Sequence, residues 1–151
     1  MASLSESVQI QAPAGEVYDL VADLTRMGEW SPENLGARWL GGRSGAEVGA
    51  RFIGRNRSGL LYWITFGRVM VADPGRELAF EITFGPVQVA YWQYLFTGAE
   101  DGSCTVVENW TDRRPAAIRP ALDAMFRARR EDLNARSISK TLANLKAAAE
   151  R

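Results

Sequence analysis

The sequence predicts an α+β fold, in which an antiparallel sheet of about six to seven strands packs against a long C-terminal helix and short helices follow the first strand. Three observations carry this. From residue 35 to residue 112 strand-like segments alternate with glycine-rich turns too short to hold crossover helices, so the strands pair antiparallel. From Pro120 to Arg151 no further proline or glycine interrupts a helical pattern. The chain is 151 residues long, the size of one domain, and 1–151 is read as a single unit.

Taken in order, Ser7–Gln11 alternates Val8 and Ile10 with polar residues, which marks a short half-buried strand ended by Ala12–Pro13. Pro13 suits a first helical position, Glu16 lies in the positive first turn, and Val17, Leu20, Val21 and Leu24 form one helical stripe. A second helical turn or kinked connector is expected over Leu24–Glu29, ending near Trp30. The next strands are Ala37–Leu40, Ala50–Arg57, Tyr62–Val71, Glu77–Phe84, Gln88–Thr97 and Cys104–Asp112. Asp73–Pro74–Gly75 and Asp101–Gly102 are the clearest hairpin turns. Gly41, Gly42, Gly45 and Gly49 form a loop and not a phosphate cradle, since no strand-to-helix junction and no lysine follows them.

Pro120 opens the C-terminal element, and an unbroken helix to Arg151 would be about 45 Å long at 1.5 Å per residue. Its second half carries Ala135, Ile138, Leu142, Leu145 and Ala149 on one stripe. Its first half carries Leu122, Met125, Phe126 and Leu133 on roughly the opposite side of the cylinder. Two readings fit: a break near Arg127–Arg130 that makes two amphipathic helices, or one helix whose second half is clamped by the sheet while its first half overhangs a pocket mouth.

Period-two parity sorts the strand side chains. Leu78, Phe80, Ile82 and Phe84 face inward, as do Ala90, Trp92, Tyr94 and Phe96, and Val106, Glu108 and Trp110. Pairing Ala72 with Glu77 places Val71, Val69, Gly67, Thr65 and Trp63 on the same inward face and exposes Tyr62, Ile64, Phe66 and Met70.

Composition narrows the chemistry. Eighteen basic and eighteen acidic residues give zero formal charge, so nothing points to nucleic acid or an anionic membrane surface as a partner. Apolar runs are only a few residues long and no basic-then-hydrophobic leader opens the chain, so neither a membrane span nor a signal peptide is expected, and a cytoplasmic location is the default. Cys104 is the only cysteine, which excludes an internal disulfide. The absence of histidine removes Ser–His–Asp and Cys–His systems and histidine-ligated zinc, and no metal or cofactor is expected.

At Gly49–Ala50–Arg51–Phe52–Ile53–Gly54–Arg55–Asn56–Arg57, Trp63, Val71–Ala72–Asp73–Pro74–Gly75–Arg76, Trp92–Gln93–Tyr94 and Val107–Glu108 the sequence resembles the polyketide cyclase/dehydrase branch of the START-like (SRPBCC, Bet v 1-like) superfamily. Val8–Pro13, Asp23–Pro32 and Lys140–Lys146 resemble it too, so the likeness covers essentially the whole chain. It implies the helix-grip fold and a hydrophobic cavity. It does not name a function, because this scaffold hosts lipid carriers, quinone chaperones, hormone receptors and polyketide aromatase/cyclases.

The chain has five tryptophans, four tyrosines and six phenylalanines. Trp30, Trp63, Trp92, Tyr94 and Trp110 are candidates for lining a pocket, being large and equipped with an N–H or O–H that needs a partner. Phe80 and Phe126 are further candidate ligand contacts, with core packing as the alternative for Phe80. Glu108 is the single inward carboxylate, and it is either a structural ion pair with an arginine or a group that orients a ligand or, aided by Tyr94, moves a proton. Asn56 shares a face with Phe52 and Gly54 and is placed to hydrogen-bond a ligand or to satisfy strand-edge backbone. Related aromatase/cyclases imply a pocket arginine, but Arg55, Arg57 and Arg68 take the outward parity and no inward arginine is found.

Three functions follow from these residues. One is a binding or carrier protein for an aromatic, polycyclic or lipid-like small molecule. The second is a polyketide aromatase/cyclase or dehydratase in which Glu108 and Tyr94 handle protons. The third is an interaction module whose exposed Tyr62, Ile64, Phe66 and Met70 patch serves as a docking or homodimer face.

Overall fold

In the computed structural model, which describes residues 3–151, seven antiparallel strands form one sheet in the order β1-β7-β6-β5-β4-β3-β2. Strand β1 (Ser3–Ile10) is followed by helix α1 (Ala14–Ala22) and a 3-10 helix (Leu24–Glu29). Then come β2 (Asn34–Trp39), β3 (Arg51–Ser58), β4 (Leu61–Asp73), β5 (Glu77–Phe84), β6 (Val87–Gly98) and β7 (Cys104–Asp112). Two helices close the chain, α2 (Arg119–Phe126) and α3 (Arg130–Ala149).

The C-terminal element is therefore two helices and not one. Arg127 takes the left-handed conformation at φ 56 and ends α2. Its N–H bonds to the Ala124 carbonyl and the Ala128 N–H to the Asp123 carbonyl, the pair of bonds that closes a Schellman motif. The Asp123 carboxylate then accepts the Arg130 N–H at 3.0 Å and so satisfies an orphan donor of the first turn of α3. Ile138, Leu142 and Leu145 of α3 are buried as expected, whereas Ala135 is exposed; Asn134 and Thr141 are buried in addition.

The core lies between α3, α1 and the concave face of the sheet, where Val17, Val21, Leu78, Val69 and Val106 are fully covered. Each such aliphatic side chain contributes about 1.5–3 kcal/mol of burial. Phe52 presses its ring on the backbone of Gly67, its cross-strand partner. A Cβ on Gly67 would come within 2.1 Å of that ring, so the close approach requires glycine. From Phe52 aromatic contacts run edge-on to Trp39 and to Phe80, and Phe80 stacks on Tyr94 at 6.4 Å between centroids. This row crosses the concave face from β2 to β6 and supports the cavity above it.

Parity holds wherever the ladders are regular. β4 pairs Val69 with Phe80 and Gly67 with Ile82, the expected register, but an irregularity between Val69 and Val71 shifts the turn end by one residue. Ala72, not Val71, therefore packs on the core, and Asp73, not Ala72, pairs with Glu77. Tyr62, Ile64 and Phe66 are exposed as expected, and Met70, beside the irregularity, is half-buried. A second shift between Ile82 and Thr83 leaves Phe84 largely exposed at the cavity rim.

Candidate functional site

Sheet curvature leaves a cavity of about 330 Å³ between the concave face, α2 and the first half of α3. Its walls are mostly apolar. Phe80, Trp92 and Trp110 line it from β5, β6 and β7, Trp63 from β4, and Ile118, Leu122, Met125 and Phe126 from α2 and the residue before it. Trp63 meets Phe126 edge-on at 4.8 Å, which joins α2 to the sheet across the cavity, and Trp92 tilts against Trp110 at 6.4 Å. α3 contributes polar side chains on one stripe, Asn134, Ser137 and Thr141, while its apolar stripe goes to the core.

Glu108 and Tyr94 are cross-strand partners, and both line the cavity. The Tyr94 hydroxyl donates to Glu108 Oε1 at 2.8 Å, while Oε2 has no partner. Glu108 is 2% exposed, and no salt bridge reaches it among the described residues, so the ion-pair reading falls away. Burial raises its pKa to about 8 against the lowering effect of the Tyr94 hydrogen bond, with Glu6, its partner across β1, adding a like charge. Burial and the adjacent Glu108 likewise push the Tyr94 hydroxyl well above its ordinary value. The pair thus holds a carboxylic acid at neutral pH.

A second polar group lies where α2 meets α3. Arg130 Nη1 donates to Glu33 Oε1 at 2.6 Å, and its guanidinium sits 4.4 Å from the Phe126 ring and 5.7 Å from Trp63. Nearby, Asn56 Nδ2 donates to Thr65 Oγ1 at 3.1 Å and Asn34 Nδ2 reaches Asn56 Oδ1 at 3.5 Å, so these three cavity residues satisfy one another across β2, β3 and β4. Arg114, 8% exposed, holds Asp112 through two side-chain bonds at 2.9 and 3.0 Å and donates to Asp123 at 3.0 Å. Burial pushes the Asp112 carboxyl up, but the hydrogen bonds and charge of Arg114, with Arg119, outweigh it and hold the carboxyl below its ordinary value.

Of the residues singled out from the sequence, Glu108, Tyr94, Asn56, Trp63, Phe80, Trp92, Trp110 and Phe126 line this one cavity. Trp30 does not. Its ring is buried in the core near α3, its carbonyl accepts Asn144 Nδ2 at 3.0 Å, and the Arg26 guanidinium lies 5.4 Å from its ring. The expectation that no arginine faces inward is also corrected, because Arg114 and Arg130 both line the cavity. Strand parity had no hold on them, since both lie beyond the last strand. The pairing of Asp112 with an arginine two residues on was the one local signal of the first.

The family described as polyketide cyclase / dehydrase and lipid transport matches residues 1–150. The solution structure of a polyketide-cyclase-like protein, Cgl2372 from Corynebacterium glutamicum, is 31% identical, with 95% of this chain and 88% of that chain covered and a TM-score of 0.64. A START superfamily protein from Mycobacterium smegmatis shares 12% identity over 98% of this chain and 97% of that one, at TM-score 0.74. The di-domain ARO/CYC StfQ from the steffimycin biosynthetic pathway shares 20% identity at TM-score 0.70, over 98% of this chain and 44% of that one. The likeness to these last two is one of fold, the helix-grip fold. A comparison with curated proteins found no match.

Proposed function

The chain belongs to the polyketide cyclase/dehydrase and lipid transport family, and from that premise we propose that it binds a hydrophobic aromatic, polycyclic or lipid-like small molecule in its cavity, as a carrier or binding protein. The observation that carries this reading is the wall itself: aromatic and aliphatic side chains from six strands and α2 surround a space of about 330 Å³, the size of a small-molecule site, and polar groups, Glu108 and Arg130 among them, converge on it. Native mass spectrometry of the protein purified without denaturation tests the reading. A co-purifying apolar compound, displaceable by an apolar fluorophore, supports it; a protein that takes up no apolar probe at any accessible concentration refutes it.

The Tyr94–Glu108 pair favours a second reading, a polyketide aromatase/cyclase or dehydratase. A carboxylic acid held neutral in the wall of the cavity is suited to protonate a carbonyl or a leaving hydroxyl, with Tyr94 keeping it in place. Glu108→Gln would then bind substrate and lose about two to four orders of magnitude in turnover. Unchanged turnover excludes Glu108 from the chemistry.

A further inference from the structure

Zero formal charge conceals a segregation of charge along the chain. From Asn34 to Asp73, along β2, β3 and β4, there are six arginines and two carboxylates, Glu47 in a loop and Asp73 at the far end of β4. Arg43 pairs with Glu47, and Arg68 approaches Glu81 of β5 at 3.8 Å. Arg38, Arg51, Arg55 and Arg57 are exposed and have no carboxylate partner among the described residues.

Strand register gathers these arginines around an apolar row on the convex side of the sheet, away from the cavity. Arg57 lies opposite Tyr62 and Arg55 opposite Ile64, while Ile53 lies opposite Phe66 with Arg38 on its other side, and Arg51 lies opposite Arg68. Tyr62, Ile64 and Phe66 are 60%, 49% and 45% exposed, and the Arg57 guanidinium sits 5.3 Å from the Tyr62 ring. The row is about 13 Å long, at 3.3 Å per residue, and the arginines of β3 run along one side of it. Aromatic residues and arginine together mark the cores of protein interfaces.

The surroundings decide what fits there. On the same convex side β5, β6 and β7 use their polar groups on one another: Gln93 donates to Glu77 and accepts from Asn109, and Gln88 donates to Glu81. Glu77 and Glu81 thus end the basic ground at β5 and leave it three strands wide, about 10 Å at the usual strand spacing. An extended anionic surface such as a bilayer or a duplex would reach past it onto these carboxylates, whereas one segment of a protein fits within it. A second copy of the chain would set arginine against arginine across a two-fold axis. An extended segment turns alternate side chains away from the sheet, so carboxylates between its apolar residues would miss the arginines. A helix lying along β4 instead places an apolar stripe on the row and an acidic flank over β3.

We propose that the convex face of β2, β3 and β4 docks an acidic amphipathic helix of a partner protein, with its apolar stripe on Tyr62, Ile64 and Phe66 and its carboxylates on Arg55 and Arg57. The guanidinium fork suits a carboxylate, and no residue of this face lines the cavity, so docking leaves the cavity free to hold its own ligand.

Fluorescence anisotropy with three labelled peptides of about 16 residues, or four to five helical turns, tests this. One has leucine at every third or fourth position and glutamate between, the second has lysine for each glutamate, and the third has serine for each leucine. Wild type should bind the first with a micromolar Kd and the other two at least about tenfold more weakly. Raising NaCl from about 0.05 to about 0.5 M should weaken the first by about tenfold, because the ion pairs are screened. Arg55→Glu/Arg57→Glu and Ile64→Ser/Phe66→Ser should each weaken it by about tenfold or more, with uptake of an apolar fluorophore by the cavity unchanged. No binding of the first peptide, equal binding of the lysine copy, or full affinity in either variant overturns the proposal. Tighter binding to vesicles of phosphatidylglycerol and phosphatidylcholine, or to oligouridylate, lost in the same variants, overturns it in favour of a membrane or a nucleic acid. A wild-type dimer in sedimentation that either variant dissociates overturns it in favour of a second copy.

Discussion

Raising the pH should destabilise this protein through Glu108, opposite in sign to acid denaturation. The carboxyl titrates near 8 in the folded state against 4.5 when exposed, so between those values the folded chain holds a proton that the unfolded chain has released. Stability from this group is therefore complete below about 4.5 and is lost as the pH rises through about 8. At about 1.4 kcal/mol per pH unit, roughly 4 kcal/mol is lost between about pH 5 and pH 9, a large part of a typical domain's 5–15. Asp112, Asp123 and Glu150 act in the other direction, because each is held below its ordinary value and weakens the fold only in acid. They are common to wild type and Glu108→Gln, so the difference between the two proteins isolates Glu108. Urea unfolding of both, at several values from about pH 5 to pH 9, should show wild type losing its stability relative to the variant by about that amount, with unchanged m-values. Parallel stability curves would refute the reasoning, since they would mean that the carboxyl ionises freely in the folded protein.

Trp92→Ala should weaken binding of aromatic probes more than it lowers the melting temperature, because the ring is half-buried and faces the cavity; unchanged affinity with a large fall in Tm would return Trp92 to the core. Gly67→Ala should cost about 1–3 kcal/mol in urea unfolding, because the new methyl overlaps a Phe52 ring that Trp39 and Phe80 hold in place. Shortening that ring in Phe52→Leu/Gly67→Ala should recover part of the loss, and strictly additive penalties would count against the overlap. Ending the chain after Lys140 should abolish cooperative unfolding, since it removes Leu142 and Leu145 from the core together with the Asn144 bond to Trp30; a sharp calorimetric transition in the shortened protein would contradict this.

Strands with clean alternation and a tight turn at one end were readable to the residue, as β5 and β7 show. β1 was not, because Ser3–Ser7 is mostly polar and becomes a strand only through pairing with β7, a long-range ladder without local trace. β2 begins three residues earlier than its apolar pattern, and its register shift between Asn34 and Gly36 hides the start. Inward parity found Glu108, Tyr94, Trp92 and Trp110 because β6 and β7 pair without interruption, and it failed at Val71, beyond an irregularity that no single residue announces. Trp30 misled for another reason: a tryptophan at a helix end has the size and polarity of a ligand contact, and only packing against α3 reveals it as core.

The break in the C-terminal helix is what gives the cavity its wall. At 100° per residue the apolar stripe of Leu122, Met125 and Phe126 and that of Ile138, Leu142 and Leu145 lie on opposite sides of a continuous cylinder, so a straight helix would bury one and leave the other in water. A single left-handed residue, Arg127, turns the chain so that both stripes face the sheet, the second filling the core and the first covering empty space. A non-glycine residue in that conformation costs about 1–2 kcal/mol, and the surrounding bonds hold it there: the Schellman pair, the Asp123 cap on Arg130, and Arg114 on the same carboxylate. Arg130, placed by that cap, then reaches Glu33 and stacks on Phe126. The bend thus positions the Arg130–Glu33 pair and the Phe126 side of the cavity wall with the same few residues.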